Sequence, residues 1–280
     1  QFKAGPSAEG FTLRTAGNQG DGMGITLDVG MDAIDHPCVP AVNGEPDFTV
    51  GEAPILTGFD HEGRPYQMGA SIAEATLNRG LWAAWRAGLF CLTLDSHQID
   101  ELVGQRIDTS TLGLFLPGLE ALTDGPQPIM FAVDPRFSEA AFPLARLRTI
   151  EDDGGVPQVG LSVAIPTLSL DLYTIVQARW TRIFRARVDV EMDAAIVANP
   201  DNTLGLSLDA PRIDNLEQTY NELLDSDNVP ELMTLLVNVA TSSLLGDGIE
   251  FELGFEGILS ELTGLPLEPE ILGMRIDGTR

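Results

Sequence analysis

Three histidines, His36, His61 and His97, are the first residues to ask for chemistry, because imidazole titrates near neutral pH and ligates metals. Each stands close to acidic residues in a loop-like segment or at a strand end, and His61 has no ligand partner beside its neighbour Asp60. A metal centre needs clustered donors, and neither H-x-x-x-H nor C-x-x-C occurs. No G-x-S-x-G elbow offers a serine nucleophile. The glycine run from Gly17 to Gly24 lacks the G-x-G-x-x-G spacing and opens no helix, so it reads as a hairpin turn rather than a phosphate loop. Asp225, Asp227 and Asn228 fail the EF-hand spacing and read better as helix caps than as calcium ligands. Carboxylates are so numerous that close pairs arise by chance. No catalytic residue, metal or cofactor is assigned, and the chain reads as a non-enzyme. A hydrolase ranks last, for want of a nucleophile–base pair.

Cys38 lies in a proline-rich loop and Cys91 on an expected strand; two buried thiols and one disulfide both fit that count. Trp82 and Trp85 share a helical stretch, and Trp180 falls on a strand. Core packing explains these indoles, and so does the lining or mouth of an apolar tunnel.

The elements that must position these residues emerge from length and pattern. With 280 residues, 44% of them hydrophobic, the chain can form one large domain or two small ones. No stretch approaches the roughly 18 apolar residues of a membrane-spanning helix. The net charge is −26, the pI is near 4.1, and Lys3 is the one lysine. Such a surface repels nucleic acid and anionic headgroups, and it suits a salty environment that screens self-repulsion. Gln1 is not a natural start and no signal peptide is visible, so a processed or trimmed chain is expected.

Residues 1–10 read as a loose segment and residues 11–280 as one domain. A strand is expected over Phe11–Ala16, and another where Ile25, Leu27, Val29 and Met31 alternate with polar residues. Residues 35–64 are loop-like. The Tyr66–Thr93 stretch predicts strand, then a helix from Ile72 to Ala87 with Ser71 and Glu74 as a capping box, then a stop at Gly88 and a strand over Leu89–Asp95. Ala73, Leu77, Gly80, Leu81 and Ala84 form the expected apolar side, opposite Asn78, Arg79 and Arg86. The small residues allow another element to approach closely. Ile129, Phe131 and Val133 alternate as a strand. Val159–Ile165 and Leu168–Leu172 alternate in opposite phase, which predicts a bulge at Pro166-Thr167. Phe184–Ala194 is the longest clean strand, and Leu204–Leu208 its partner after the Asn199–Asn202 turn. A second helical stretch is expected over Asp214–Leu245, interrupted at Asp225–Pro230, with strands over Ile249–Phe255 and Ile271–Ile276.

Met68-Gly69-Ala70-Ser71, Leu77-Asn78, Arg86-Ala87-Gly88-Leu89, Leu92-Thr93-Leu94 and Phe115-Leu116-Pro117, taken in order, resemble the second barrel of the bactericidal/permeability-increasing family, which includes lipopolysaccharide-binding and lipid-transfer proteins. The resemblance covers most of the chain as element order and apolar positions. It implies an α+β fold, with a highly curved antiparallel sheet wrapped around two long helices and one of the family's two barrels present. The Phe115-Leu116-Pro117 stretch is expected to form a short helix. The implied function is binding, and transfer, of lipid or another hydrophobic ligand in an apolar groove, with contact at a membrane surface. Leu77, Leu81, Ala84 and Trp85 would line that groove from the first helix, Met233, Leu236 and Val237 from the last, and Val188, Val190 and Met192 from the sheet. The family is exported, which implies an extracytoplasmic protein and favours the Cys38–Cys91 bridge; a marine or halophilic bacterial source is expected from the acidic, salt-suited composition. The acidic composition departs from the basic endotoxin-binding surface of some members. The alternative is the same barrel with a filled core, serving as an interaction module of an exported or outer-membrane-associated assembly.

Overall fold

The computed structural model describes residues 2–5, 12–15, 23–26, 30–41, 46–48, 58–59, 63–66, 71–104, 107–114, 116–135, 141–151, 157–198, 204–222, 234 and 249–251. Its centre is a hairpin of two strands, β8 (Pro157–Val176) and β9 (Arg179–Ala198), each 20 residues long. Alternating β-branched and leucine residues carry both strands. Gln177 and Ala178 turn them with left-handed φ angles of 49° and 61°, the two-residue turn whose twist suits a hairpin. β9 therefore extends well beyond the predicted Phe184–Ala194.

Each long strand has two partners on its outer edge. β7 (Leu144–Glu151) pairs with the first half of β8 and β6 (Ile129–Pro135) with the second. β10 (Leu204–Leu208) pairs with the C-terminal end of β9, and β11 (Arg212–Asn221) with its middle. β5 (Thr93–Asp95) and β12 (Ile249–Phe251) complete an antiparallel, eight-stranded sheet in which β5 and β12 do not meet. The break between the halves of β8 is the predicted bulge. Pro166 has no N–H for a ladder, Thr167 takes φ 52°, and the register slips between Ile165 and Leu168.

β11 corrects the expected helix over its residues. Ile213 and Leu216 lie three apart and Tyr220 four further on, a helical spacing. The strand holds two bulges, between Asp214 and Glu217 and between Gln218 and Tyr220. Each inserted residue shifts the period, so that Ile213 and Leu216 both pack against the core. Thr234 is helical. Met233, Leu236 and Val237, with the rest of the expected second helix and the Ile271–Ile276 strand, lie outside the described residues.

Near the N-terminus, β1 (Phe2–Gly5), expected as loose chain, pairs with β4 (Gly30–Ala33), while β2 (Thr12–Thr15) pairs with β3 (Met23–Thr26) across the glycine run. The single strand expected from Ile25 to Asp32 is thus shared between two separate pairings. Helix α1 (Glu74–Arg86) starts after Ala73, with no side-chain cap, so the Ser71–Glu74 box does not form. It ends as predicted: Gly88 takes φ 87°, Leu89 N–H reaches Ala84 O at 3.0 Å, and Gly88 N–H reaches Trp85 O at 2.8 Å. That is the paired bonding of a left-handed helix stop. The strand after it is confined to β5.

Three short helices separate β5 from β6: α2 (Ser96–Val103), α3 (Thr109–Gly113) and α4 (Pro117–Leu122). The last carries the predicted short helix, with Pro117 at its first turn, where a missing N–H costs nothing. Asp95 and Gln98 form a capping box on α2, and the Asp108 carboxylate accepts from Ser110 and Thr111 N–H on α3. Cys38 and Cys91 are joined by a disulfide, with 6.4 Å between their Cα atoms and 53 residues of sequence separation. On the chain-entropy view, closing such a loop stabilises the fold by about 4 kcal/mol.

Candidate functional site

One face of the sheet is the core face. Along the second half of the hairpin, Leu168, Leu170 and Leu172 meet Val188, Ala186 and Phe184, and β6 adds Ile129, Phe131 and Val133. Ile99, Leu112, Leu116 and Leu119 from α2–α4 belong to the same buried cluster. Trp82 and Trp85 join it from α1, their rings 4.7 Å apart between centroids, with Phe142 5.2 Å from Trp82.

α1 is held by polar anchors as well as by these indoles. Asn78 Oδ1 accepts from Ala145 N–H at 2.7 Å, and Asn78 Nδ2 donates to Ala145 O at 3.0 Å. Glu74 Oε2, one turn earlier, accepts from Leu147 N–H at 3.0 Å. A helical turn rises 5.4 Å and two strand residues roughly 6.7 Å, so residues four apart on α1 match residues two apart on β7. The helix thereby satisfies the β7 edge that faces away from β8. The buried side of α1 consists of Asn78, Trp82, Ala83 and Trp85, rotated from the predicted apolar side. Asn78 is polar by type, yet its two-way bond to a strand backbone makes it an interior residue, and apolar periodicity carries no such signal. The close approach expected of small residues does occur: Met31 Sδ lies 3.2 Å from where a Cβ on Gly80 would sit.

Of the residues expected to line a groove, Trp85, Val188 and Val190 are buried in the common cluster. Leu81 and Met192 pack against it half-buried, and Leu77 and Ala84 are also half-buried. The first half of the hairpin differs from the second. Its core face carries Leu147, Val159, Leu161, Val163, Met192 and Ile196, all only half-buried, beside the buried Ile165, Val190 and Ala194. Leu147 opposes Leu161, and Val163 opposes Met192, so these side chains form a continuous apolar surface that borders the core. The Trp82 indole N–H, within a side chain 2% exposed, has no acceptor among the described residues.

The opposite face is charged. Arg185 grips Asp171 with both arms, Nε to Oδ1 at 2.6 Å and Nη2 to Oδ2 at 2.5 Å, with Asp134 3.7 Å away. The Asp171 bond raises the Arg185 pKa above its ordinary value, against the opposing effect of burial. Nearer β7, Asp193 accepts from Arg212 Nη1 at 2.9 Å and pairs with Arg148, while Glu191 accepts from Ser162 Oγ at 2.9 Å. Burial pushes the Asp193 carboxyl up, but the bonds from Arg212 and Arg148 outweigh it and hold its pKa below the ordinary value. Between the networks, Asp189 accepts from Thr167 N–H and from Asn215 Nδ2, both at 2.7 Å. One carboxylate thus closes the bulge in β8 and the first bulge in β11. These are ion pairs and hydrogen bonds on a sheet surface.

A shallow depression of about 240 Å³ lies beside α3, lined by Thr109, Ser110, Thr123, Gly125 and Pro126. Thr109 Oγ1 there accepts from Gln127 N–H at 2.9 Å, which fixes the turn before β6. The search for metal donors by sequence spacing missed one group, because Cys91 lies 53 residues from Cys38 in the chain. Donor atoms of His36, Cys38 and Cys91 lie within 4.8 Å of one another. No helix among the described residues is long and apolar enough to cross a membrane.

No family model matches the chain, and no curated protein matches it. Among solved structures it is similar to one described as the crystal structure of lipopolysaccharide binding protein, with 14% identity and a TM-score of 0.37. The match covers 59% of this chain and 34% of that one, so this chain spans about a third of the length of the structure it resembles.

Proposed function

We propose that the chain is a non-enzymatic binder of lipid or another hydrophobic ligand, acting outside the cytoplasm. The observation that carries this reading is the half-buried apolar surface of Leu147, Val159, Leu161, Val163, Met192 and Ile196, continuous with the core. An acyl chain laid on it would be stabilised by about 0.8 kcal/mol for each methylene removed from water. The Trp82 N–H, which has no acceptor among the described residues, suits a ligand carbonyl, which a lipid ester or carboxyl group provides. The disulfide fits an oxidising compartment. In this reading the sheet curves about the ligand. Transfer between membranes would add brief contact with a lipid surface.

A second reading has its own support. Trp85, Phe131 and Phe184 are fully buried in a packed cluster, as in an interaction module whose core needs no guest. Organic extraction of gently purified protein, followed by mass spectrometry, separates the two. Binding predicts co-purified lipid and saturable uptake of a fluorescent fatty acid, weakened by Leu161→Asp and Val163→Asp. Absence of both lipid and uptake would sink the binding reading and leave the module.

A further inference from the structure

We propose that His36, Cys38 and Cys91 form a thiophilic metal site, of the kind that takes Zn²⁺, once the Cys38–Cys91 disulfide is reduced. The three donors already converge within 4.8 Å, where the ligands of a tetrahedral zinc centre stand about 3.5–3.8 Å apart. Opening the bridge therefore requires only a modest separation of the two sulfurs, with no rearrangement of secondary structure. The backbone that carries the imidazole is held in place independently of the sulfurs. His36 N–H donates to Arg86 O at 2.8 Å, at the end of α1, and the neighbouring Asp35 pairs with the Arg86 side chain.

Gly88 makes room for the ring. A Cβ there would stand 2.5 Å from His36 Cγ, and its φ of 87° is set by the helix stop. Cys91 N–H donates to Gly88 O at 2.9 Å, which places the second sulfur-bearing residue on the same turn. His36 Nδ1 accepts from Cys38 N–H at 3.3 Å, so this nitrogen already lies toward Cys38. His36 is exposed and both cysteines are half-buried, leaving a route for a cation and for a fourth ligand such as water.

The chemistry balances without redox change at the metal. A dithiol reductant gives two electrons and two protons to the disulfide and becomes a disulfide itself, leaving Cys38 and Cys91 as thiols. Zn²⁺ then displaces the two thiol protons, and the neutral imidazole supplies the third donor. Oxidation of the thiolates to the bridge would expel the ion, so the two occupants of the site exclude each other.

The test uses the full chain and Co²⁺ as the probe. Protein reduced with a water-soluble phosphine and desalted without oxygen should develop the sulfur-to-cobalt charge-transfer band, saturating at one equivalent and displaced by Zn²⁺. The oxidised protein should show none. His36→Ala should bind Co²⁺ about tenfold or more weakly with both thiols still titratable. A reduced protein with no band, or an H36A protein that binds as tightly as wild type, overturns the proposal. If reduction alone lowers the far-ultraviolet circular dichroism, recovery on adding Zn²⁺ supports the site, and failure to recover overturns it.

Discussion

The two halves of the long hairpin use the same pair of strands for different ends. In the second half, Leu168 to Leu172 are buried without a break, on both faces of the sheet. Leucines fill the core side, and on the other side Asp171 is sealed under Arg185. In the first half the same alternation leaves Val159, Leu161 and Val163 half-buried, and the facing charges include the solvent-exposed guanidinium of Arg212. One half is finished protein interior, and the other keeps apolar surface in reserve. The contrast teaches that strand periodicity alone does not reveal burial. What differs is the roof: the residues of α2–α4 join the cluster over the second half, while α1 is committed to the β7 edge.

Asp171→Ala should produce the largest loss, about 3 kcal/mol by urea unfolding, because it leaves the Arg185 guanidinium with the more distant Asp134 in place of a two-armed bond. Arg148→Ala in the other half should cost under about 1 kcal/mol, since the Arg148 side chain is 42% exposed and Arg212 still holds Asp193. Equal losses would erase the distinction between the halves. Truncating the core side sharpens it: Leu170→Ala should cost about 3 kcal/mol, and Leu161→Ala about 1 kcal/mol. Asn78→Ala should cost about 2 kcal/mol and speed amide exchange at Ala145, because the N–H and the C=O of that residue both lose their partner.

The smallest effect is one of pH. Because the folded-state pKa of Asp193 is depressed, its stabilisation is complete above the unfolded value of about 3.9 and disappears as pH falls through the folded value. Asp193→Asn should be less stable than wild type at neutral pH, with the gap narrowing below about pH 4 in thermal melts. A gap independent of pH would show that packing, and not charge, holds that corner.

Much of the sheet could be read directly from the sequence. Ile129–Val133, the phase change at Pro166-Thr167 and the β9–β10 hairpin each follow from period-two alternation around a turn or a proline. β11 could not be read that way, because its bulges convert strand spacing into helical spacing at Ile213 and Leu216. The inner side of α1 was hidden for a different reason. Asn78 is recognised by a strand backbone 67 residues away, a partner that exists only after folding. Of the lining residues, Val188, Val190 and Trp85 follow the pattern into the core, and Met192 into the open half. Leu147, Val159 and Ile196 were not singled out, since the sequence says which face of a strand is apolar and not how well that face is covered.

Asp189 has a consequence beyond local geometry. By closing bulges on two neighbouring strands at once, it gives β11 an uneven outer profile, studded with Arg212, Asp214 and Glu217. No incoming straight strand could register against such a rim. On the far side of the sheet, the same hazard is met by side chains of α1 occupying β7's spare amides. A protein with this much apolar strand thus has two of its edge strands, β11 and β7, blunted against fibre-like self-assembly, one by a kink and the other by a helix.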